Sequence, residues 1–80
     1  MPRYFLHVRD RDDLLQDPDG QECTDLVAAR EEAAAVARDL MSDGLRAGAP
    51  LGLHREILIE DEQGTKLATL SFRQALPPEQ

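Results

Sequence analysis

Residues 24–48 constrain the fold more than any other part of the chain. Leu26, Ala29, Ala33, Val36, Ala37, Leu40 and Met41 recur at steps of three and four, one apolar stripe on a helix. Arg30, Glu31, Glu32, Arg38, Asp39 and Asp43 lie mostly off that stripe. The run Ala33–Ala37 has high helix propensity, and its small side chains permit close approach to a sheet. Thr24 or Asp25 is the expected N-cap, its side-chain oxygen taking a free backbone N–H. Two stops are open, a C-cap at Gly44 or continuation to Gly48; the later stop is preferred because Leu45 extends the stripe.

Strand-like segments flank this helix. Arg3–Arg9 alternates, with Tyr4, Leu6 and Val8 on one face and Arg3, Phe5, His7 and Arg9 on the other. Asp10–Asp13 is a charged turn, with Leu14–Gln16 as a short return strand. Asp17-Pro18-Asp19-Gly20 follows as a turn in which proline presets φ at the second position. Beyond the helix, Ala49-Pro50-Leu51-Gly52 is a linker and His54–Glu60 a strand, with Ile57 and Ile59 opposed to Glu56, Leu58 and Glu60. Asp61-Glu62-Gln63-Gly64 is a hairpin loop, and Thr65–Arg73 returns with Ala68, Leu70 and Phe72 opposed to Leu67, Thr69 and Ser71.

The expected fold is therefore α+β, a two-layer sandwich in ββαββ order. One helix lies on one face of a three- to four-stranded, mainly antiparallel sheet. Residues 1–76 form a single domain, and 77–80 a frayed tail. The expected core is Leu6, Val8, Leu26, Val36, Leu40, Ile57, Ile59, Leu70 and Phe72, and Leu40→Ala is expected to cost about 2–5 kcal/mol.

Composition narrows function mainly by exclusion. Sixteen acids against nine bases give a net charge of −7, which opposes duplex DNA and anionic membrane. The apolar run Tyr4–Val8 is too short for a signal peptide or a membrane span, so a cytoplasmic protein is expected. The lone Cys23 rules out an intrachain disulfide, and no Cys/His set suggests structural zinc.

Chemical motifs fare poorly. Setting Gly20 as the sixth position of a calcium loop puts Leu15 and Leu26 where acidic ligands are required, so Asp10, Asp12, Asp13, Asp17, Asp19 and Glu22 read as solvated turns. His7 and His54 would meet only if their strands pair, with Glu56 as a third ligand; edge histidines are the plainer reading. Cys23 precedes the helix N-terminus without a base or partner thiol and reads as a small hydrophobe. Ser42 and Ser71 lack a nucleophile context, and no phosphate-binding glycine motif occurs. No catalytic residue, cofactor or metal ligand can be named, and a non-enzyme is expected.

One pattern remains. Arg3, Phe5, His7 and Arg9 share a strand face away from the helix, joined there by Leu58 and Leu67. These six residues are the candidate interaction face. A basic and aromatic stripe on a sheet also serves single-stranded nucleic acid, though base-stacking sheets carry more than one aromatic.

Three blocks also carry a family resemblance: Met1–Val8 with its acidic turn and Asp17–Gly20, Asp25–Ala33, and Asp61–Gly64 with Leu70-Ser71-Phe72. Together, from Pro2 to about Ala75, they resemble a family of short uncharacterised alphaproteobacterial proteins with an MPRYF-type N-terminus, grouped as a domain of unknown function. Leu6 stands where many members carry a second phenylalanine. The resemblance implies no catalytic or binding residue.

The expected role is a small non-catalytic interaction or regulatory protein. A chain this short buries only about 60% of its unfolded surface, and without staples its natural support is a second copy. A homodimer through the helix-free face or an edge strand is expected, with Arg3 and Arg9 beside Glu56 and Glu60 as rim charges. Another protein partner is the alternative, as are a single-stranded nucleic-acid binder and, by fold analogy alone, an antitoxin-like partner of a small toxin.

Overall fold

In the computed structural model, which describes residues 1–76, five short strands form one antiparallel sheet with a single long helix on one face. The strands are β1 (Arg3–Asp10), β2 (Asp13–Leu15), β3 (Gln21–Glu22), β4 (Glu56–Glu60) and β5 (Lys66–Ser71). The helix α1 spans Leu26–Arg46. The expected tail at 77–80 lies outside the described residues.

β1 is the spine of the sheet. One side pairs with β4, Phe5 opposite Glu60 through Arg9 opposite Glu56. The other side is shared by two fragments: β2 covers Val8–Asp10 and β3 covers Arg3–Tyr4. β4 continues to β5, which ends the sheet. The expected order of elements thus holds, and β3 adds a fifth strand to the three or four anticipated. β2 begins at Asp13 rather than Leu14, because a two-residue turn, Arg11-Asp12, closes the first hairpin with Arg11 at φ 59°. β4 begins at Glu56 rather than His54, since Arg55 N–H closes a turn onto Gly52 O. β5 ends at Ser71, and a 3₁₀ turn follows at Arg73–Ala75.

Asp25 caps α1, its Oδ1 accepting Ala28 N–H at 2.9 Å. The helix takes the later of the two anticipated stops. Gly48 sits at φ 76°, its N–H bonds Leu45 O at 3.1 Å, and Ala49 N–H bonds Gly44 O at 2.8 Å. That paired closure is a Schellman motif.

The deepest helix residues are Ala29, Ala33, Ala37 and Met41, every fourth position. This corrects the expected core. Leu26, Val36 and Leu40 are only half-buried and pack around its margin. Small side chains let the backbone of α1 approach the sheet, so the alanine line sits at the centre and the larger residues flank it. The sheet contributes Tyr4, Leu6, Val8, Ile57, Ile59, Leu70 and Phe72, with Cys23 and Ala75 closing the ends.

Candidate functional site

The helix-free face is partly roofed by its own chain. The segment after β2 folds back over β1 and docks chiefly through Asp17. Its backbone N–H donates to His7 Nδ1 at 3.0 Å. Its carboxylate accepts Leu6 N–H at 3.3 Å through Oδ2, and Asp19 and Gly20 N–H through Oδ1 at 3.3 and 3.1 Å. The Leu6 bond falls in the gap between β3 and β2, so a side chain fills the ladder where no strand runs. Gly20, at φ 71°, lies so close that a Cβ would meet Arg3 Cγ and Phe5 Cε2 at 2.9 Å. Only glycine fits there.

This roof changes the face anticipated for interaction. His7 is 8% exposed and Leu58 4% exposed. Because His7 Nδ1 accepts a hydrogen bond, the proton of the neutral ring sits on Nε2, which donates to Glu60 Oε1 at 3.2 Å. The ring stacks on half-buried Phe5, centroids 6.3 Å apart. Arg3 donates to Asp19 O at 2.9 Å and pairs with Glu22 at 3.2 Å. Arg9 pairs with Glu56 at 3.5 Å, so the charge expected at a dimer rim is met within the chain. Leu67 remains 39% exposed.

The Asp17–Gly20 turn now has a role that sequence reading missed. The Asp17 carboxylate is aimed at backbone N–H donors, the geometry of a hydrogen-bonded turn. The signal available was the Asp-Pro-Asp-Gly pattern itself, but not its docking onto β1. His7 and His54 are not brought together, because His54 precedes β4 and bonds Asp10 at the far end of β1. Among the described residues no group of three potential ligands could hold a metal ion. Cys23 is buried, and burial pushes its thiol up, reinforced by Glu32 and Asp25.

A second locality lies at the C-terminal end of α1. Asp10, Leu40, Gly44, Ala49, Pro50, Gly52, His54 and Arg55 line an open cleft of about 320 Å³. His54 Nε2 donates to Asp10 Oδ1 at 2.6 Å. Arg55 lies over the Phe72 ring, 4.6 Å from its centroid, while Nε and Nη2 donate to Gly52 O and Leu51 O at 3.4 and 3.0 Å. Gly52, at φ 70°, carries no Cβ where one would strike that guanidinium.

The His54 hydrogen bond holds the Asp10 carboxyl below its ordinary 3.8; burial opposes this, and the charges of His54, Arg55 and Arg11 assist it. A lowered folded pKa means stabilisation that is present above the unfolded value and lost as pH falls through the folded one. Asp10→Asn is therefore expected to lower the urea midpoint at pH 6, with the difference from the parent chain vanishing on acidification below pH 3.8. A difference that persists unchanged at pH 2 would mean that Asp10 acts through something other than its charge.

Among the described residues no helix is long and apolar enough to cross a membrane. A search of the curated proteins finds no significant match, and none is found among the solved structures. Residues 3–73 match the family described as domain of unknown function DUF6894. A match over the whole sheet and helix settles kinship: the chain belongs to the DUF6894 family.

Proposed function

We propose that the chain is a small non-catalytic interaction protein that pairs with a second copy of itself through the free edge of β5. The contrast between the two sheet edges carries this reading. The β2/β3 edge is broken into fragments of three and two residues, each with one acid, Asp13 and Glu22, and its gap is filled by the Asp17 carboxylate. Such features block strand addition. β5 runs from Lys66 to Ser71 with one register shift, Ile59 opposite Ala68 and Glu60 opposite Lys66, so its regular stretch is Ala68–Ser71; it bears a single charge, at its start. Phe72 N–H bonds Arg55 O at 2.9 Å, so by antiparallel alternation the N–H groups of Ser71 and Thr69 point away from β4. Gln74 Oε1 takes the Ser71 N–H at 2.8 Å. Thr69 has no such cover among the described residues, and Leu67 lies exposed beside it.

Two copies related by a two-fold axis through Thr69 would exchange backbone bonds and extend the sheet. The cytoplasm is the compartment we assign, where a buried free thiol stays reduced. An enzyme is disfavoured because the Asp10–His54 pair has no nucleophile among the residues lining its cleft. A nucleic-acid surface is disfavoured because Arg3, Arg9 and His7 are engaged within the chain.

Sedimentation at about 100 µM, far above a micromolar dissociation constant, is expected to show a dimer. Thr69→Pro removes an N–H that serves no bond among the described residues and is expected to leave a folded monomer. A monomeric parent chain would end the proposal. A dimer resistant to Thr69→Pro but broken by Phe5→Glu would keep the oligomer and move its interface to the helix-free face.

A further inference from the structure

We propose that the cleft at the C-terminal end of α1 binds a small organic carboxylate, with Arg55 as the anion-recognising group. This goes beyond the self-association reading and uses different residues. Four observations converge on it.

The first is Gly44. It sits inside α1 with ordinary helical backbone, where glycine costs about 1 kcal/mol relative to alanine. Space does not demand it, since a Cβ there would meet Pro50 O at 3.5 Å, an ordinary contact. Gly44 lines the cleft, and what its missing side chain does is keep the cleft wall open.

The second is Arg55. Two loop carbonyls and the Phe72 ring hold the guanidinium in place, and Nη1 has no partner among the described residues. A donor fixed in this way loses little freedom when it captures an anion.

The third is charge. Arg11, His54 and Arg55 surround Asp10 in a protein that is otherwise acidic. Asp10 is already bound to His54. The carbonyl end of α1 adds a partial negative charge of about half an electron. The balance suits a monoanion and disfavours a dianion such as phosphate.

The fourth is the apolar wall formed by Leu40, Ala49 and Pro50, which a carbon skeleton would cover. The volume, about 320 Å³, stands at the lower end of ligand pockets, about 300–1,000 Å³. A bare inorganic anion would leave that wall wet.

The test is an NMR titration of the ¹⁵N-labelled full chain with benzoate, hexanoate and inorganic phosphate, each to about 10 mM. Benzoate or hexanoate is expected to shift the Gly44 and His54 amides and the Arg55 Nε–H saturably, and phosphate not to. Gly44→Val, which narrows the cleft from the helix side, is expected to weaken binding at least about ten-fold while preserving the spectrum elsewhere. Arg55→Lys is expected to do the same by removing the planar donor; if that variant fails to fold, Gly44→Val alone decides. No saturable shift with either carboxylate would overturn the proposal. So would phosphate binding as tightly as benzoate, or Gly44→Val binding like the parent. A monomeric protein that binds benzoate leaves this inference standing and removes only the dimer.

Discussion

Phe72→Ala is expected to lower the stability of the domain by about 3–5 kcal/mol, the largest loss of any single substitution here. Phe72 is fully buried and is the largest of the side chains so enclosed. It lies where three parts of the fold meet. Its N–H extends the ladder to Arg55 O at 2.9 Å, and its ring carries the Arg55 guanidinium. It also opens the 3₁₀ turn, accepting Ala75 N–H at 3.1 Å. Truncation therefore leaves a cavity and releases a cation from its aromatic seat, the latter worth about 0.5–2 kcal/mol. A domain this small commands only about 5–15 kcal/mol in all, so the variant should sit near its unfolding midpoint at 37 °C. Urea titration followed by circular dichroism measures the loss. Phe72→Leu should cost clearly less, because it keeps most of the apolar volume. A midpoint unchanged by Phe72→Ala would mean that the core is not organised around this ring.

The parts of the fold that the sequence announces are those with a long periodic signal. α1 shows its stripe over its whole length, and Asp25 and Gly48 punctuate its ends. β1, β4 and β5 show their alternation. β3 and the 3₁₀ turn are too short for any period. Gln21 and Glu22 form a strand only because Arg3 and Tyr4 offer unpaired ladder groups beside them. The depth order within the helix stripe was also hidden. Leu40 and Ala37 both belong to the apolar face, and which one reaches the centre depends on how closely the helix approaches the sheet. For Leu40, half-buried at the margin, the cost of truncation falls below the 2–5 kcal/mol of full burial.

The sites follow the same logic. The stripe Arg3, Phe5, His7 and Arg9 was legible as a face, since strand alternation fixes it. That His7 is enclosed was not, because the turn over it docks through bonds between residues ten and more apart. The cleft residues come from β1, the end of α1 and the 49–55 loop, and no local pattern links Asp10 to His54. Gly44 was visible only as a possible helix stop. Its lack of a side chain acquires meaning once the helix is seen to run past it.

Asp17 offers the sharpest separation of these ideas, because its two oxygens have different jobs. Oδ1 holds the turn through Asp19 and Gly20, whereas Oδ2 reaches across to Leu6 N–H. Asp17→Asn keeps one acceptor oxygen and replaces the other with an amide NH₂, which cannot accept from Leu6. The turn should survive while its link to β1 is lost, at a cost of about 1–2 kcal/mol. Asp17→Ala removes both functions and strands the Leu6 N–H in the ladder gap, for about 2–3 kcal/mol. Hydrogen exchange tells the two apart. In the Asn variant the Leu6 amide should lose protection while Gly20 keeps it, and in the Ala variant both should exchange freely. Once the roof lifts, Phe5 and His7 become accessible, so the Ala variant should also bind a hydrophobic dye that the parent chain ignores. If Leu6 stays protected in both variants, a group other than Asp17 closes the gap in the sheet. The sealed β2/β3 edge would then owe nothing to this side chain, and the contrast on which the β5 interface rests would have to be drawn again.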